Sequence, residues 1–575
     1  MADRDFLTET RRLLALAEGQ TRSGDPGGAA ETLRSVAARH PDASVGWLQA
    51  AVAARTAGRT EAATGLVHRA LVLEPALAPA APLLVGLAAG DPIAGRHRAA
   101  AMWAILRPDS AEAVATLAGT HQQAGRDRPA LSAGRRALAL DPALGWVRAN
   151  LAVVLRELGD RDAAMTELRR AAILDPGAGL PWRRLGGLLE IASDLAPAER
   201  ALRRALLIDA GDHAASALLA ITERRLGRPQ DALARLEALP ERLTGEIGRD
   251  TVEFELGTLR DRLGQPAAAY AHFTRANAVA LSRAEPGMAD PARYLATVAG
   301  FEAAMDPDWL SRWKPLRKAE APVVFMVGFP RSGTTLLDQI LDAHPDVHVI
   351  EEHPVLAGVG AGFAANPAGI AERLAELSDA QADRLRQALE TRVARWGGEA
   401  LPRVVIDKMP LNTVFLPLAL RLYPDAKIIL SLRHPCDCCL SCFMQPIRLT
   451  PAMASFTSMD EATALYARVM GLWRQVAERL TPTHETVRYE DLIEDVEGTA
   501  RRVLDFLDLD WDPAVLDHAA HARTRGLIRT PSFRQVSEPI YRRAKGRWER
   551  YRPQIDPYLD RLRPFMAEFG YDDRG

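Results

Sequence analysis

The chain has few cysteines, no long apolar run and almost no net charge, and each of these absences narrows what the protein can be. All 4 cysteines of the 575 residues fall between Cys436 and Cys442, which excludes a disulfide framework, because such a framework spreads its cysteines along the chain. The 72 basic and 74 acidic residues leave a formal net charge of −2, so no overall field attracts nucleic acid or an anionic membrane. Any site for an anion must therefore be local.

The sequence also lacks the features of an exported or membrane-bound protein. Its start, MADRDFLTETRR, is charged and has no apolar core of a signal peptide. An uncharged stretch over residues 75–90 is shorter than the roughly 18 residues of a transmembrane helix, and Pro79 and Pro82 interrupt it. We therefore expect a cytoplasmic protein without nucleic-acid or membrane partners. The composition, rich in alanine, arginine and glycine, favours a bacterial source.

The clustered cysteines form the pattern C-x-C-C-x-x-C over Cys436, Cys438, Cys439 and Cys442. Four thiolates are a possible zinc-binding set, but this spacing is not that of a zinc finger. The segment follows a predicted strand and has the pattern of a helix, on which the four thiols would point in several directions. We expect small, partly buried residues in a reducing compartment, and no metal.

The first half of the chain repeats. Prolines recur at a nearly constant interval, at Pro41, Pro75, Pro108, Pro142 and Pro176. Glycines such as Gly125 and Gly159 mark a turn in the middle of each unit. A helix–turn–helix unit of roughly 34 residues resembles the tetratricopeptide repeat, whose units stack into a solenoid. We predict an all-α solenoid over residues 1–282, which either braces the rest of the chain or presents a surface to a peptide or partner.

The pattern changes after the repeats. Residues 283–320 are rich in proline and charge and read as a connecting segment. From residue 321 onward, short β-rich runs alternate with helical stretches, which indicates an α/β domain of the P-loop type with a parallel sheet flanked by helices, over residues 321–575. The predicted strands cover residues 323–328, 403–407, 427–432 and 485–489. Ligands of such a sheet bind at the carboxyl ends of its strands.

The loop after the first predicted strand has the spacing of a phosphate-binding loop. Gly328 and Gly333 enclose four residues, and Thr334 and Thr335 follow. The lysine that reaches the β- and γ-phosphates of ATP is missing, since Thr334 stands in its place, and Arg331 lies inside the loop instead. Backbone N–H groups and a helix N-terminus can still surround an anion. A 5′-phosphosulfate fits this loop better than a triphosphate does.

Four segments in this order resemble the sulfotransferase family, and within it the tyrosylprotein sulfotransferase branch and bacterial repeat-bearing relatives. They are PRSGTTLLDQILDAHPDVHVIEE, DKMP, RHPCDCCLSC and RYEDL, and the resemblance spans residues 321 to about 553. It implies a sulfuryl transfer from 3′-phosphoadenosine 5′-phosphosulfate, PAPS, to a hydroxyl acceptor, with 3′,5′-adenosine bisphosphate as the second product.

The resemblance also implies the donor-binding residues. The phosphosulfate loop would use Arg331, Ser332, Gly333, Thr334 and Thr335. The 3′-phosphate would be held by Arg433 and Ser441, and further nucleotide contacts would come from Tyr489, Ser532 and Arg547. In the tyrosylprotein branch, a lysine directly before a tryptophan contacts the nucleotide. Here the tryptophan is Trp548 and the position before it is Arg547, with Lys545 close by; which of the two basic residues reaches the ligand stays open.

Sulfuryl transfer needs a base for the acceptor proton and cations for the leaving phosphate. The resemblance implies that Glu352, the second glutamate of the IEEH segment, is the base. Glu351 is its local rival, and His353 and His344 are weaker candidates. Lys408, at the end of a predicted strand, would stabilise the transition state together with Arg331. Since no acidic pair lies beside the loop, no metal is expected.

The acceptor is less defined. The arginines with which animal tyrosylprotein enzymes hold acidic peptides correspond here to Pro354 and Gly358, so a preference for acidic peptides is not supported. A tyrosine in a protein or peptide presented by the repeats is one acceptor, and a homodimer is one arrangement of the chain. Two other functions stay open: a P-loop kinase or ATPase, and a non-enzymatic repeat scaffold with a nucleotide-binding relic domain.

Overall fold

The computed structural model describes residues 2–74, 77, 79–88, 93–243, 247–397, 402–518 and 544–572. Contacts within the chain divide it into two compact units, Met1–Ala215 and Ser216–Gly575. Among the described residues, no helix is both long and apolar enough to cross a membrane.

The first unit consists of helices that pack in sequence, each against the next. They are α1 (Ala2–Arg22), α2 (Pro26–Arg39), α3 (Ser44–Thr56), α4 (Thr60–Leu73), α5 (Ala80–Leu87), α6 (Ile93–Leu106), α7 (Ala111–Gln123), α8 (Asp127–Leu140), α9 (Gly145–Glu157), α10 (Arg161–Leu174), α11 (Gly179–Ile191) and α12 (Leu195–Ile208). The helix–turn–helix units that the recurring prolines predict are therefore present.

Small residues explain why the paired helices pack so closely. Ala164 and Ala171 on α10 are fully buried. A Cβ atom on Gly186 of α11 would lie 2.5 Å from the Leu202 side chain of α12. Between the two helices of a unit the chain turns through a left-handed residue, as at Gly159 with φ of 90°, and such a residue favours glycine.

The second unit begins with helices and continues into the α/β fold. Its helices are α13 (His213–Arg225), which contains the unit boundary, α14 (Pro229–Glu237), α15 (Arg249–Arg262), α16 (Pro266–Ser282), α17 (Ala292–Ala304), α18 (Pro307–Leu310), α19 (Thr334–Asp342), α20 (Leu356–Ala364), α21 (Ile370–Ala375), α22 (Asp379–Gly397), α23 (Leu416–Leu422), α24 (Pro435–Phe443), α25 (Met459–Leu480), α26 (Tyr489–Glu494), α27 (Val496–Phe506), α28 (Arg552–Ile555) and α29 (Leu559–Glu568). Short 3₁₀ helices cover Pro367–Gly369, Pro410–Phe415, Met453–Thr457, Pro513–Asp517, Arg547–Tyr551 and Asp556–Tyr558.

Within the described residues, five strands form one parallel sheet in the order β2-β3-β1-β4-β5. They are β1 (Val324–Gly328), β2 (Val347–Glu351), β3 (Val404–Lys408), β4 (Ile428–Leu432) and β5 (His484–Arg488). The predicted parallel α/β fold is confirmed, and four strands lie within one residue of their predicted positions. The fifth, β2, lies at an edge of the sheet and was not among the predicted strands.

The sheet separates two apolar cores. Phe325 and Val327 of β1 face the core that α20, α22 and α25 cover, whereas Met326 faces the core against α19 and α27. On β3 the same alternation directs Asp407 toward α20 and Lys408 toward α19. Two charged residues at the end of a buried strand thus serve opposite faces of the sheet.

Candidate active site

The loop between β1 and α19 has the backbone of an anion-binding site. Arg331 and Gly333 have left-handed φ values of 70° and 97°, and Gly333 caps α19, whose first-turn N–H groups face the loop. A Cβ atom on Gly333 would lie 2.7 Å from Cδ2 of Tyr489, so both the conformation and the close approach require glycine. Thr334 and Thr335 begin the helix.

Side chains from the 3₁₀ helix Pro410–Phe415 and from β4 hold this loop in place. The Thr413 hydroxyl accepts a hydrogen bond from the Gly328 N–H at 3.0 Å, and the Ser431 hydroxyl donates one to the Ser332 carbonyl at 3.1 Å. The Ser332 hydroxyl itself is buried and has no hydrogen-bond partner within the described part of the chain. A buried donor of this kind costs free energy unless a ligand satisfies it.

The predicted 3′-phosphate residues lie beside the loop. The Arg331 guanidinium donates through Nε to the Ser441 hydroxyl at 3.0 Å, and Arg433 donates to the Arg331 carbonyl at 3.2 Å. The Arg433 guanidinium carbon lies 5.0 Å from the Tyr489 ring centroid. Arg433 is buried, and its Nε has no hydrogen-bond partner among the residues that the structure covers. The structure therefore brings Arg331, Ser332, Gly333, Arg433, Ser441 and Tyr489 together.

Asp437, in the first turn of α24, is the acidic partner of Arg433. Its carboxylate lies 3.7 Å from the Arg433 guanidinium. Burial lowers the pKa of Arg433, but Asp437 and other nearby acidic groups, among them Glu490, together outweigh burial and raise it. Sequence reasoning missed this residue, because an acidic side chain inside a cysteine-rich helix gave no sign of facing an arginine.

Lys408 lies beside three carboxylates at the carboxyl end of β3. Its ammonium nitrogen is 3.0 Å from Asp338 of α19, 3.4 Å from Glu351 and 3.3 Å from Glu352, and the side chain is 0% exposed. Burial lowers the pKa of Lys408, but the charges of Asp338, Glu352 and Glu351 outweigh this effect and raise it. Lys408 thus remains a buried cation. Asp338, one helical turn after Thr334, was not predicted.

Glu352 lies directly after β2 in a left-handed conformation, with φ of 50°. The Glu352 N–H donates to the Lys408 carbonyl at 2.9 Å. This hydrogen bond fixes the Glu352 backbone beside Lys408, whose ammonium group contacts the Glu352 carboxylate. The Glu352 side chain is 32% exposed, against 10% for Glu351. Glu352 is therefore the more accessible of the two carboxylates. A non-glycine residue in this conformation carries backbone strain, which is common at functional sites.

The histidine candidates are engaged elsewhere. One ring nitrogen of His344 lies 3.0 Å from the Asp510 carbonyl oxygen, and the other accepts from the Asp346 N–H at 3.1 Å. The His353 ring stacks on Trp396, with 3.8 Å between the ring centroids. Of the rivals to Glu352, only Glu351 contacts Lys408 within the described part of the chain.

Asp407 approaches the same segment from the other face of the sheet. Its Oδ2 accepts hydrogen bonds from the Leu356 N–H and from the Asn412 amide, both at 3.0 Å. Asp407 is fully buried, and burial raises its pKa to about 7, although both hydrogen bonds act to lower it. The carboxyl group therefore fixes the start of α20, just after Glu352.

Two of the predicted donor residues have different surroundings. The Arg547 guanidinium pairs with Asp261 of α15 at 2.8 Å, and the neighbouring Lys545 pairs with Glu494 at 2.6 Å. Both side chains are thus engaged by carboxylates outside the loop, and their contribution to nucleotide binding stays a prediction. Ser532 lies outside the described residues. Asp261 belongs to a helix of the repeat region and could not be linked to this site from the sequence.

The four cysteines lie on α24, beneath the loop, and all are buried. The thiol of Cys442 faces the Pro330 carbonyl at 3.4 Å, that of Cys438 faces the Arg433 carbonyl, and that of Cys439 faces the Ala462 carbonyl on α25. The thiols therefore point in different directions, as a helix requires. Across the described residues, no group of three or more His, Cys, Asp or Glu side chains is arranged to hold a metal ion.

Comparison with known proteins points to one family for this domain. Residues 322–513 match the model of the Sulfotransferase family. A putative protein-tyrosine sulfotransferase of Caenorhabditis briggsae is 28% identical over 261 residues, which cover 44% of this chain and 89% of that protein. Protein-tyrosine sulfotransferase 1 of Danio rerio is 28% identical over 267 residues, 44% of this chain and 73% of that protein. An uncharacterized protein of Aquifex aeolicus is 28% identical over 272 residues, but the match spans only 34% of its length.

Solved structures with similarity to the chain include helical-repeat proteins. A crystal structure of MamA protein covers 29% of this chain and 92% of its own, at 18% identity and a TM-score of 0.27. That of YrrB, described as a TPR protein with an unusual peptide-binding site, covers 32% and 96% at 16% identity and a TM-score of 0.29. Scores this low carry no argument, so the assignment of the repeats rests on the paired helices themselves.

Proposed function

We propose that the protein transfers a sulfuryl group from PAPS to a hydroxyl acceptor, because residues 322–513 match the model of the Sulfotransferase family. The observation that supports this most strongly is the convergence of two features at one edge of the sheet. The first is the anion-binding loop that follows β1. The second is the contact between Lys408, a buried lysine at the end of β3, and Glu352, a partly exposed glutamate directly after β2. The Asp338–Lys408 ion pair joins the two, since α19 begins at the loop.

The buried donors beside the loop fit an anionic donor substrate. The Ser332 hydroxyl and the Arg433 Nε are both buried, and neither has a hydrogen-bond partner in the described part of the chain. Phosphate and sulfate oxygens are strong acceptors for such groups. We assign the 5′-phosphosulfate to the loop at Arg331–Thr335 and the 3′-phosphate to Arg433 and Ser441. Tyr489, which lies over Gly333, would contact the nucleotide between them.

The proposed reaction needs one proton acceptor and one cationic group. The acceptor hydroxyl oxygen attacks sulfur, and Glu352 takes the hydroxyl proton. The bond between sulfur and the bridging oxygen breaks, and its electron pair stays on the 5′-phosphate. Lys408 and Arg331 stabilise the negative charge that grows on this phosphate. The reaction needs no redox step. Glu352 accepts the proton that it releases, and Lys408 and Arg331 supply the positive charge that it requires.

For the acceptor we propose a tyrosine side chain, because the relatives in Caenorhabditis briggsae and Danio rerio are named protein-tyrosine sulfotransferases. Their pairwise identity to this chain is 28%, and the helical repeats precede the region that the family model matches. We further propose that the repeats present the protein or peptide that carries the acceptor. Deleting the repeats of the first unit should then raise the acceptor KM and leave donor binding intact.

Calorimetric titration of the full chain with 3′,5′-adenosine bisphosphate, beside ATP with Mg²⁺, tests the donor assignment. We expect binding of the bisphosphate that is lost in Arg433→Ala. Binding of ATP alone would refute the proposal in favour of a kinase or ATPase, and binding of neither would favour a non-enzymatic scaffold.

Glu352→Gln tests the base. A positioned base contributes about 10²–10⁴-fold in rate, so kcat for sulfuryl transfer from labelled PAPS should fall by about this factor while bisphosphate affinity is kept. Glu351→Gln is the matched control, since its carboxylate contacts the same lysine. If Glu351→Gln abolished transfer and Glu352→Gln did not, the two roles would be exchanged.

A further inference from the structure

A short segment near the end of the chain contacts both the donor site and a repeat helix. We call residues 544–551 the C-terminal strap. It lies outside residues 322–513, which match the sulfotransferase family, and the helix that it contacts, α15, precedes that region in the sequence. Both belong to the compact unit Ser216–Gly575.

On one side the strap holds Arg433. The Ala544 carbonyl accepts a hydrogen bond from the Arg433 guanidinium at 2.5 Å. The Asp437 carboxylate, which neutralises Arg433, accepts from the N–H groups of Gly546 and Trp548, both at 2.9 Å. The Trp548 ring is fully buried and stacks on His434, 4.9 Å away between centroids. The position of the strap backbone therefore determines where Arg433 and its counter-charge lie.

On its other side the strap is held by Asp261 of α15. The Asp261 side chain is 9% exposed, and its carboxylate accepts a hydrogen bond from the Tyr551 hydroxyl at 2.7 Å. The guanidinium groups of Arg547 and Arg550 lie 2.8 Å and 3.2 Å from the same carboxylate. One buried acid thus gathers a phenol and two cations of the strap. Charge-assisted hydrogen bonds of this kind are the strongest that side chains make.

We propose that Asp261 is a positioning residue for the donor site: it fixes the C-terminal strap on α15, and the strap orients Arg433 toward the 3′-phosphate. This inference rests on the proposed function, because it takes the ligand of Arg433 to be the phosphate of PAPS or of adenosine bisphosphate. The helix pair α15–α16 is then a structural part of the nucleotide site. Asp261 acts through Arg547 and Tyr551 and does not touch the ligand.

Asp261→Asn keeps the shape of the side chain and removes the charge that two guanidinium groups share. Asp250→Asn is the matched control, because Asp250 lies on the same helix and pairs with Arg283 at 2.7 Å, away from the strap. The full-length proteins are titrated with 3′,5′-adenosine bisphosphate, and the PAPS KM, kcat and Tm are measured in parallel.

We expect Asp261→Asn to weaken bisphosphate binding about tenfold, the equivalent of one charge-assisted hydrogen bond. The KM for PAPS should rise by a similar factor with kcat little changed, since Lys408 and Glu352 are not displaced. Asp250→Asn should bind as the wild type does. A general loss of stability would instead lower activity and Tm together, without a selective change in KM.

If the wild type binds the bisphosphate and Asp261→Asn binds it with the same affinity, the positioning role is overturned and the proposed function still stands. No binding by the wild type would refute the donor assignment, and this inference with it. If Asp261→Asn does not fold, Tyr551→Phe, which removes a single hydroxyl from the same carboxylate, replaces it. We expect a several-fold loss of affinity in that variant, and an unchanged Kd there would also overturn the proposal.

Discussion

The cluster of Lys408 with Asp338, Glu351 and Glu352 leads to an asymmetric prediction for substitutions of its members. The lysine is fully buried, and its nitrogen lies within 3.4 Å of three carboxylates. In Lys408→Met these acids lose their shared cation, and removing one partner of a buried ion pair costs about 3–5 kcal/mol. We expect the C-terminal unit to lose about that much free energy of unfolding.

Asp338→Asn should be much milder. The amide can still accept a hydrogen bond from the Lys408 ammonium, and Glu351 and Glu352 continue to neutralise its charge. We therefore expect a loss of about 1–2 kcal/mol, near the usual value for a hydrogen bond to a charged group. In the double variant Asp338→Asn/Lys408→Met, the loss in free energy of unfolding should be smaller than the sum of the two single losses by about 1–3 kcal/mol. The reason is that the double variant no longer has the buried Asp338 carboxylate that lacks its cation in Lys408→Met.

The pH dependence gives an independent check. Because the folded pKa of Lys408 is raised, its contribution to stability is complete below the pKa of an unfolded lysine and is lost only as pH rises through the folded value. Between pH 5 and 8 Lys408 should therefore contribute no slope to stability in the wild type. The difference in stability between the wild type and Lys408→Met should stay constant over this range and shrink only as pH rises above the ordinary pKa of lysine.

Denaturant unfolding is the assay, with hydrogen exchange of peptides from β1, β3 and β4 as the local probe, because the two units need not unfold together. Equal losses in Asp338→Asn and Lys408→Met, or strictly additive losses in the double variant, would refute the reasoning. They would mean that Lys408 is not the common counter-ion of this cluster.

Two further predictions concern the loop and the opposite face of the sheet. In Gly333→Ala the new methyl group meets Tyr489 at 2.7 Å in a backbone conformation with φ of 97°, so bisphosphate affinity should fall by more than about tenfold, a cost of about 1.4 kcal/mol or more. The control is Gly471→Ala in α25, which has open space around the new methyl group and should bind normally. Equal affinities of the two variants would contradict the assigned role of the loop. Since the pKa of Asp407 is raised to about 7, its folded carboxyl holds a proton that the unfolded one has lost, so stability should fall from about pH 4 to pH 7 and stay level above, by at most about 4 kcal/mol. Asp407→Asn, measured by Tm against pH, should remove this slope, and an unchanged slope would show that another group causes it.

Much of the fold was predictable because its signals are local. The regular interval between prolines reports helix pairs, and β-rich runs before Gly328 and Arg433 report buried central strands. β2 was missed, whereas β5 at the other edge of the sheet was predicted; in β2, His348 and Glu351 are only partly buried. Its polar residues obscure the strand pattern, although Glu352, the candidate base, directly follows it.

The residues of the candidate site also divide into those with a local sequence signal and those without one. Residues inside contiguous motifs, such as Arg331, Ser332 and Ser441, were predicted and lie together. Partners that depend on tertiary packing were not predicted. Asp338 of α19 contacts Lys408 of β3, and Asp261 contacts Arg547, although the members of each pair are far apart in sequence. No local pattern encodes a pair of this kind, because only the folded arrangement of helices makes the two side chains neighbours.

The cysteine-rich helix beneath the loop has a consequence for how the molecule can be studied. Burial raises the pKa of Cys442 to about 12 and also raises that of Cys438 and Cys439, so at neutral pH these thiols are protonated and shielded. An alkylating reagent can modify them only during excursions in which the helix leaves its neighbours. The rate of alkylation therefore measures how often the floor of the donor site opens. A nucleotide that binds the closed form should slow alkylation in proportion to its occupancy, and the natural cysteines serve as the probe without any substitution.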